Sequence, residues 1–284
     1  LSYDRLDGDS ELLYPKGYRT TEPDAQLNDG WLSRSATLNE AVNASVTASM
    51  NFELGENLVN QTQLRYLYEN EDYESVSTNG YRFAVGGVPV FDNIDSETIG
   101  SGSYLRTIRS DGYFAMTNFE FTDRYIVDAL IPNDGSSLFG ADERRQWYYR
   151  GAVAWRMGME PWFPFPFVDE FKLRASRGTA GGRPTFSAQY ETYSVSGGFV
   201  SPVNLGNRNL RPELAVEDEF GLDATFFNGR ALLGLTYAHS TIEDQIMPVP
   251  LPAYAGFGTQ WRNVGTLENS TIEASLNLQL VRQR

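Results

Sequence analysis

His239 is the only histidine and cysteine is absent. A Cys–His nucleophile, a thiolate metal site and a His-rich metal site are therefore excluded. Carboxylates are plentiful, with Asp and Glu totalling 37, and at that density glycosidase-type pairs arise by accident. Asp92, Asp95 and Glu97 lie in one segment and offer hard oxygen ligands of the kind Ca2+ takes. The EF-hand spacing is missing, and a solvated acidic loop is the alternative reading. Gly86-Gly87 and Gly181-Gly182 read as loop glycines with no helix after them, so they are not phosphate cradles. The inventory points to a non-enzyme without a cofactor or a resident metal.

Two other groups of side chains offer more. Tyr190, Tyr193, Phe199, Tyr254, Phe257 and Trp261 fall in long loop segments. Aromatic faces there stack on sugar rings or anchor a partner, and they also pack loop on loop. Asn43, Thr47, Asn51, Gln61, Gln63 and Arg65 recur at alternate positions. They supply donors and acceptors at moderate desolvation cost, suited to wetting a lumen, packing a plug or touching a hydroxylated solute.

What must position them is β-structure. The run Val42 to Leu54 reads VNASVTASMNFEL and alternates without an error. A period of two means a strand with one apolar and one polar face. Thirteen residues at ~3.4 Å reach ~44 Å, beyond the ~9–11 residues that a tilted transmembrane strand needs. The apolar positions Val42, Val46, Met50, Phe52 and Leu54 then face lipid. The alternation recurs over 58–70, 112–121, 125–131, 147–157, 171–175, 220–226, 231–237 and 272–280, where Ile272, Leu276 and Leu278 are lipid-facing. Asn228-Gly229 is the strongest short hairpin signal. With a weak start at Leu1 to Arg5, the pattern predicts about ten strands.

The connections alternate as well. Short links fall near 55–57, 122–124, 160–169 and 228–229, long ones at 71–103, 132–144, 178–214 and 242–267. Antiparallel order puts each kind on its own edge, as the turns and loops of an outer-membrane barrel are arranged. A net charge of −14 argues against a nucleic-acid binder. No run approaches the ~20 apolar residues of a membrane helix. The chain begins without a methionine or signal peptide and reads as an internal piece of a longer polypeptide.

Three stretches resemble the SusC/RagA-like TonB-dependent outer-membrane transporters. They are DRYIVDALIPNDGSSLFGADERRQWYYRGAVAWRM (Asp123–Met157), EFKLRASRGTAG (Glu170–Gly181), and the run from NRNLRPELAVEDEFGLD at Asn207 to WRNVGTLENSTIEASL ending at Leu276. Pro132 and Asn133 stand where the family usually has basic residues before DGSS, and Thr271 where it usually has glycine. The resemblance implies an all-β, antiparallel transmembrane barrel wall. Residues 1–284 would form one partial barrel domain, about 10 of an expected 22 strands, with the plug and the last strands missing. It further implies TonB-energised import of a bulky nutrient at the bacterial outer membrane, with long loops extracellular and short turns periplasmic. The implied partners are outer-membrane lipid, the receptor's own plug, the TonB complex and a SusD-like lipoprotein. Two alternatives stay open: a passive porin- or adhesin-type barrel, and a soluble glycan-binding β-sandwich.

Overall fold

The structure, a computed structural model, describes residues 1–17, 28–196 and 199–280. Strands carry it: β1 (Ser2–Tyr14), β2 (Trp31–Glu53), β3 (Leu58–Tyr81), β4 (Gly100–Phe121), β5 (Tyr125–Ser136), β6 (Arg145–Trp147), β7 (Arg150–Trp155), β8 (Val168–Gly182), β9 (Thr192–Ser196), β10 (Phe199–Leu205), β11 (Glu213–Phe226), β12 (Ala231–Glu243), β13 (Ile246–Pro250), β14 (Thr259–Asn263) and β15 (Thr266–Leu278). The main sheet runs β1-β2-β3-β4-β5-β7-β8-β11-β12-β15, with β6 added against β5; a second sheet runs β13-β14-β10-β9.

Alternation predicts about ten strands, and the main path has ten. The other five lie in segments read as loops or, for β6, as part of one strand with β7. Residues 148–149 break that strand: Tyr148 donates its N–H to Pro132 O, off the ladder that β7 makes with β5. Gly181 and Gly182 end β8 rather than sitting in a loop. The strands also outrun their patterns. β2, β3 and β4 have 23, 24 and 22 residues, because ladder bonds continue where the apolar alternation has stopped. Tyr66 and Tyr68, near the end of the 58–70 alternation, therefore lie inside β3.

Spatially the chain divides into two units, residues 1–44 with 68–109, and residues 45–67 with 110–284. In the first, β1 pairs with β2 from Ser2↔Asn43 to Tyr14↔Trp31. The sequence announces only Leu1–Arg5 of β1; its remainder, DGDSELLY, has no clean alternation. Charge pairs on the shared face take its place, Arg34 Nε lying 2.7 Å from Glu11 Oε2. The core of this unit is Leu32, Phe83 and Ile94, with Leu13 and Phe91 against it. Gly30 has φ +88°, and a Cβ there would overlap the Phe83 ring. Asn93 closes the 82–99 loop: its Nδ2 donates to Val85 O at 2.7 Å and Val88 O at 2.8 Å, and its Oδ1 accepts from Val85 N.

In the second unit the registers of β4, β5, β7, β8, β11, β12 and β15 connect into rows. Its buried apolar residues do not lie between sheets. They are Leu138, Phe139, Tyr148, Ala188 and Leu210, under the loops, with Ala224 on β11. There Gly140 N donates to Leu210 O and Gln189 Nε2 to Ser137 O. A Cβ at Gly140 would overlap the Arg208 carbonyl.

Candidate functional site

The rows of the second unit sort the wall into two faces. One row reads Phe121, Tyr125, Trp155, Leu173, Leu222, Leu235, Ala274. The next on the same face reads Phe119, Val127, Val153, Ala175, Phe220, Tyr237, Ile272. Leu276 and Leu278 continue this face opposite Leu233 and Ala231. Two residues further along, the row becomes Thr117, Ala129, Gly151, Arg177, Asp218, His239, Ser270, and the apolar band ends. From Phe226 to Phe220 the band spans seven residues, ~24 Å along the strand, on the scale of a barrel's lipid band. It is not a core: Phe220 is 57% exposed and Ile272 79%. Val46, Met50, Phe52 and Leu54 are likewise exposed, and Val42 is half-buried. His239 Nδ1 and Ser270 Oγ share a hydrogen bond of 2.9 Å, and Asp218, opposite His239 on β11, is paired with Arg177 at 3.1 Å.

The opposite face is polar. Gln61 and Gln63 line a cavity of about 310 Å3 with Arg150 and with Asn118 and Asp128, the last two not singled out from the sequence. Asn118 Nδ2 donates to Asp128 Oδ1 at 2.7 Å. Their alternate placement in 112–121 and 125–131 is the signal that could have found them. Farther along this face Arg174 bonds Glu219, lies 3.5 Å from Asp223 and donates to Thr236 Oγ1. Lys172 meets Asp223 at 3.0 Å. Gly221 stands opposite Arg174, and a Cβ there would overlap the guanidinium. Asn43, Thr47, Asn51 and Arg65 lie along β2 and β3, the last three exposed.

At the short links a carboxylate is buried. Glu160 accepts from Tyr125 Oη at 2.5 Å, Trp155 Nε1 at 3.0 Å and Arg124 at 2.9 Å. The Tyr125 and Trp155 hydrogen bonds hold its carboxyl below the ordinary glutamate range. Aromatic rings crowd this edge: Trp155 against Trp162, Phe163 against Phe165 and Phe171, and Phe167 against Phe226 and Phe227.

The predicted loop aromatics are partly brought together. Tyr193 on β9 meets Phe257 edge-on at 5.7 Å. Trp261 lies on β14 opposite Pro248, and its carbonyl accepts from Asn207 Nδ2 at 2.8 Å. Phe199 on β10 is 80% exposed. Tyr190 turns to Phe186 instead, at 5.6 Å. Tyr254, 91% exposed, has no ring partner among the described residues. The Ca2+ reading of Asp92, Asp95 and Glu97 is not supported. Asp95 is taken up by Arg82 at 2.9 Å and by the Glu97 N–H, which hold its carboxyl below its ordinary range. No cluster of three or more metal-ligating side chains occurs among the described residues.

A family model described as TonB dependent receptor-like, beta-barrel matches residues 1–282. The chain is 31% identical over 226 residues to TonB-dependent receptor P3 of Formosa agariphila, covering 75% of this chain and 22% of that protein. To the TonB-dependent receptor SusC of Bacteroides thetaiotaomicron it is 27% identical over 180 residues, 58% of this chain and 18% of that protein. Among solved structures, the RagAB peptide importer in its closed-closed state superposes with a TM-score of 0.88 at 19% identity, covering 99% of this chain and 32% of that one. That last likeness is one of fold. The chain spans about a fifth of the length of these curated relatives.

Proposed function

The chain belongs to the TonB dependent receptor-like β-barrel family, and from that premise we propose that it forms part of the wall and the outer loops of a TonB-energised outer-membrane importer. The observation that carries this reading is the exposed apolar band on one face of β4 to β15, with charged and amide side chains on the other. A soluble sandwich buries such a band against a second sheet. Here the band stays exposed inside the sheet, with Phe220 57% and Val153 53% exposed. Lipid satisfies that face, and the ring-rich edge at 155–171 suits an interfacial girdle. The short links then face the periplasm and the long loops the outside.

The nutrient is bulky, an oligosaccharide or a peptide. Support comes from the similar proteins: one is SusC, and the solved structure of the same fold is a peptide importer. On this reading the polar face, with Asn43, Thr47, Asn51, Gln61, Gln63 and Arg65, looks into the lumen toward a plug. A SusD-like lipoprotein covers the outer loops, and TonB acts through the plug.

Single cysteines in the full-length receptor, labelled with bimane in proteoliposomes, test the wall. Brominated lipid is expected to quench labels at Leu222 and Leu235 and to leave labels at Glu219 and Thr236 bright. Equal quenching on both faces would sink the membrane reading, and uptake that persists without TonB would sink energised import.

A further inference from the structure

Where the apolar band ends, the row on the same face reads Gly151, Arg177, Asp218, His239, Ser270 across β7, β8, β11, β12 and β15. β8, β11 and β12 each have a paired strand on both sides, so the charged part of the row lies within the sheet and not at its edge. Arg177 donates from Nη1 to both carboxylate oxygens of Asp218, at 3.3 and 3.1 Å. A guanidinium carries five N–H donors, and the Arg177 side chain stays 59% exposed. The Tyr149 hydroxyl lies beside it. His239 spends Nδ1 on Ser270 Oγ, which leaves Nε2 without a partner among the described residues. Opposite Arg177 on β7, a Cβ added to Gly151 would meet nothing within 4 Å, so the row has a notch there. Charges on a lipid-facing surface are costly unless something polar meets them.

We infer that this row seats a zwitterionic lipid headgroup of the phosphoethanolamine kind. Its phosphate meets Arg177 on the Gly151 side, and its ammonium meets Asp218 within reach of His239 Nε2. This rests on the membrane reading above, which puts the row at headgroup depth on the long-loop side. Neighbouring strands stand ~4.8 Å apart, a spacing that the two-carbon link between phosphate and ammonium spans. Both contacts are charge-assisted hydrogen bonds. The alternation of charge selects the occupant. A headgroup with phosphate alone is repelled by Asp218, and a simple cation by Arg177. A choline headgroup carries the same charges, but its three methyl groups keep it from donating to Asp218.

The test uses the full-length receptor in vesicles, with bimane on a single cysteine at Phe220, two residues from Asp218 on the same face, or at Leu278, at the far end of the band. Brominated phosphatidylethanolamine and brominated phosphatidylcholine with the same acyl chains are titrated in turn. At Phe220 phosphatidylethanolamine reaches half-quenching at about a fifth of the mole fraction that phosphatidylcholine needs, or less. At Leu278 the two lipids are equal. Arg177→Gln and Asp218→Asn each abolish the preference at Phe220 while heat-modifiable migration is unchanged, and Asp218→Asn turns it toward phosphatidylglycerol. The comparison in the unsubstituted row stands without these variants. Equal quenching by both lipids at Phe220 overturns the inference and leaves the membrane reading intact, whereas quenching by neither lipid sinks both. A preference for phosphatidylglycerol before any substitution makes the row a plain anion site and overturns the zwitterion. Native mass spectrometry of receptor taken from outer membranes identifies the source. A retained phospholipid or glycolipid bearing phosphoethanolamine upholds the inference, and a retained lipid without that group overturns it. Disulfide capture of a second receptor copy through Arg177→Cys assigns the row to that copy and overturns the lipid.

Discussion

The main sheet and the loop sheet of the second unit are built from the same kind of element and held in different ways. In the main sheet, β11 and β12 pair without interruption from Leu214↔Glu243 to Phe226↔Ala231. Main-chain ladders do the holding there, and side chains are left to sort by face. In the loop sheet, β10 and β14 share two pairs, Asn204↔Thr259 and Leu205↔Gln260, in parallel. β13 and β14, and β9 and β10, have short ladders of their own, and amide side chains tie these strands to the segments around them. Asn263 donates to Arg211 O at 2.8 Å and Asp244 O at 3.0 Å and accepts from Arg211 N. Gln260 donates to Gly206 O at 3.0 Å, and Asn204 to Tyr190 O at 3.1 Å. Long ladders tolerate loss of any one side chain; a short sheet stapled by single amides does not.

That contrast can be broken by mutation, and the largest effect belongs under the loops. Phe139 is 1% exposed, and Phe139→Ala is expected to cost about 3–5 kcal/mol. Hydrogen exchange should rise across 137–149 and 183–212 while β11 and β12 stay protected. Loss of protection in β11 as well would show that the two sheets unfold together. Next comes the apolar band, where Leu222→Arg should cost about 2–4 kcal/mol on denaturant titration in lipid, against roughly 1 kcal/mol or less for Thr236→Arg on the polar face. Similar costs at both positions would erase the distinction between the faces.

Asn263→Ala is smaller, about 1–3 kcal/mol, and should be read as faster exchange confined to β13 and β14. The smallest effect is one of pH. Glu160 has its carboxyl lowered by Tyr125, Trp155 and Arg124. Its contribution is complete above the ordinary glutamate pKa of about 4.3 and fades as pH falls through the lower folded value. Glu160→Gln should flatten the acid limb of a melting-temperature profile and leave the profile near neutral pH parallel to wild type. An unchanged acid limb would mean that another carboxylate sets it.

The same contrast decides what the sequence could show. Residues 42–54 alternate because one side of a wall differs from the other, and that difference is written in side-chain type. β9, β10, β13 and β14 are invisible to the same reading, because five to seven residues interrupted by prolines or polar side chains carry no clean period of two. The extension of β3 from Asn70 to Tyr81 was equally hidden. There Arg106 bonds Glu71 and Thr107 donates to Asp72, so charge pairs replace the apolar signal. The loop aromatics were legible as residues but not as partners: Tyr193 finds Phe257, whereas Tyr190 is spent on Phe186. Asp128 and Arg150 became a cavity only when β5 and β7 aligned them.

Gly221 carries a consequence of its own. Because its missing side chain is the berth of the Arg174 guanidinium, the charge inventory of this strip of wall is set by a residue that has no charge. Filling the berth would push the guanidinium from its place between Glu219 and Asp223, and of those two carboxylates Asp223 would keep its pair with Lys172. Positions 174 and 221 are thus coupled through space: the charge pattern of this strip depends on a side chain that is not there.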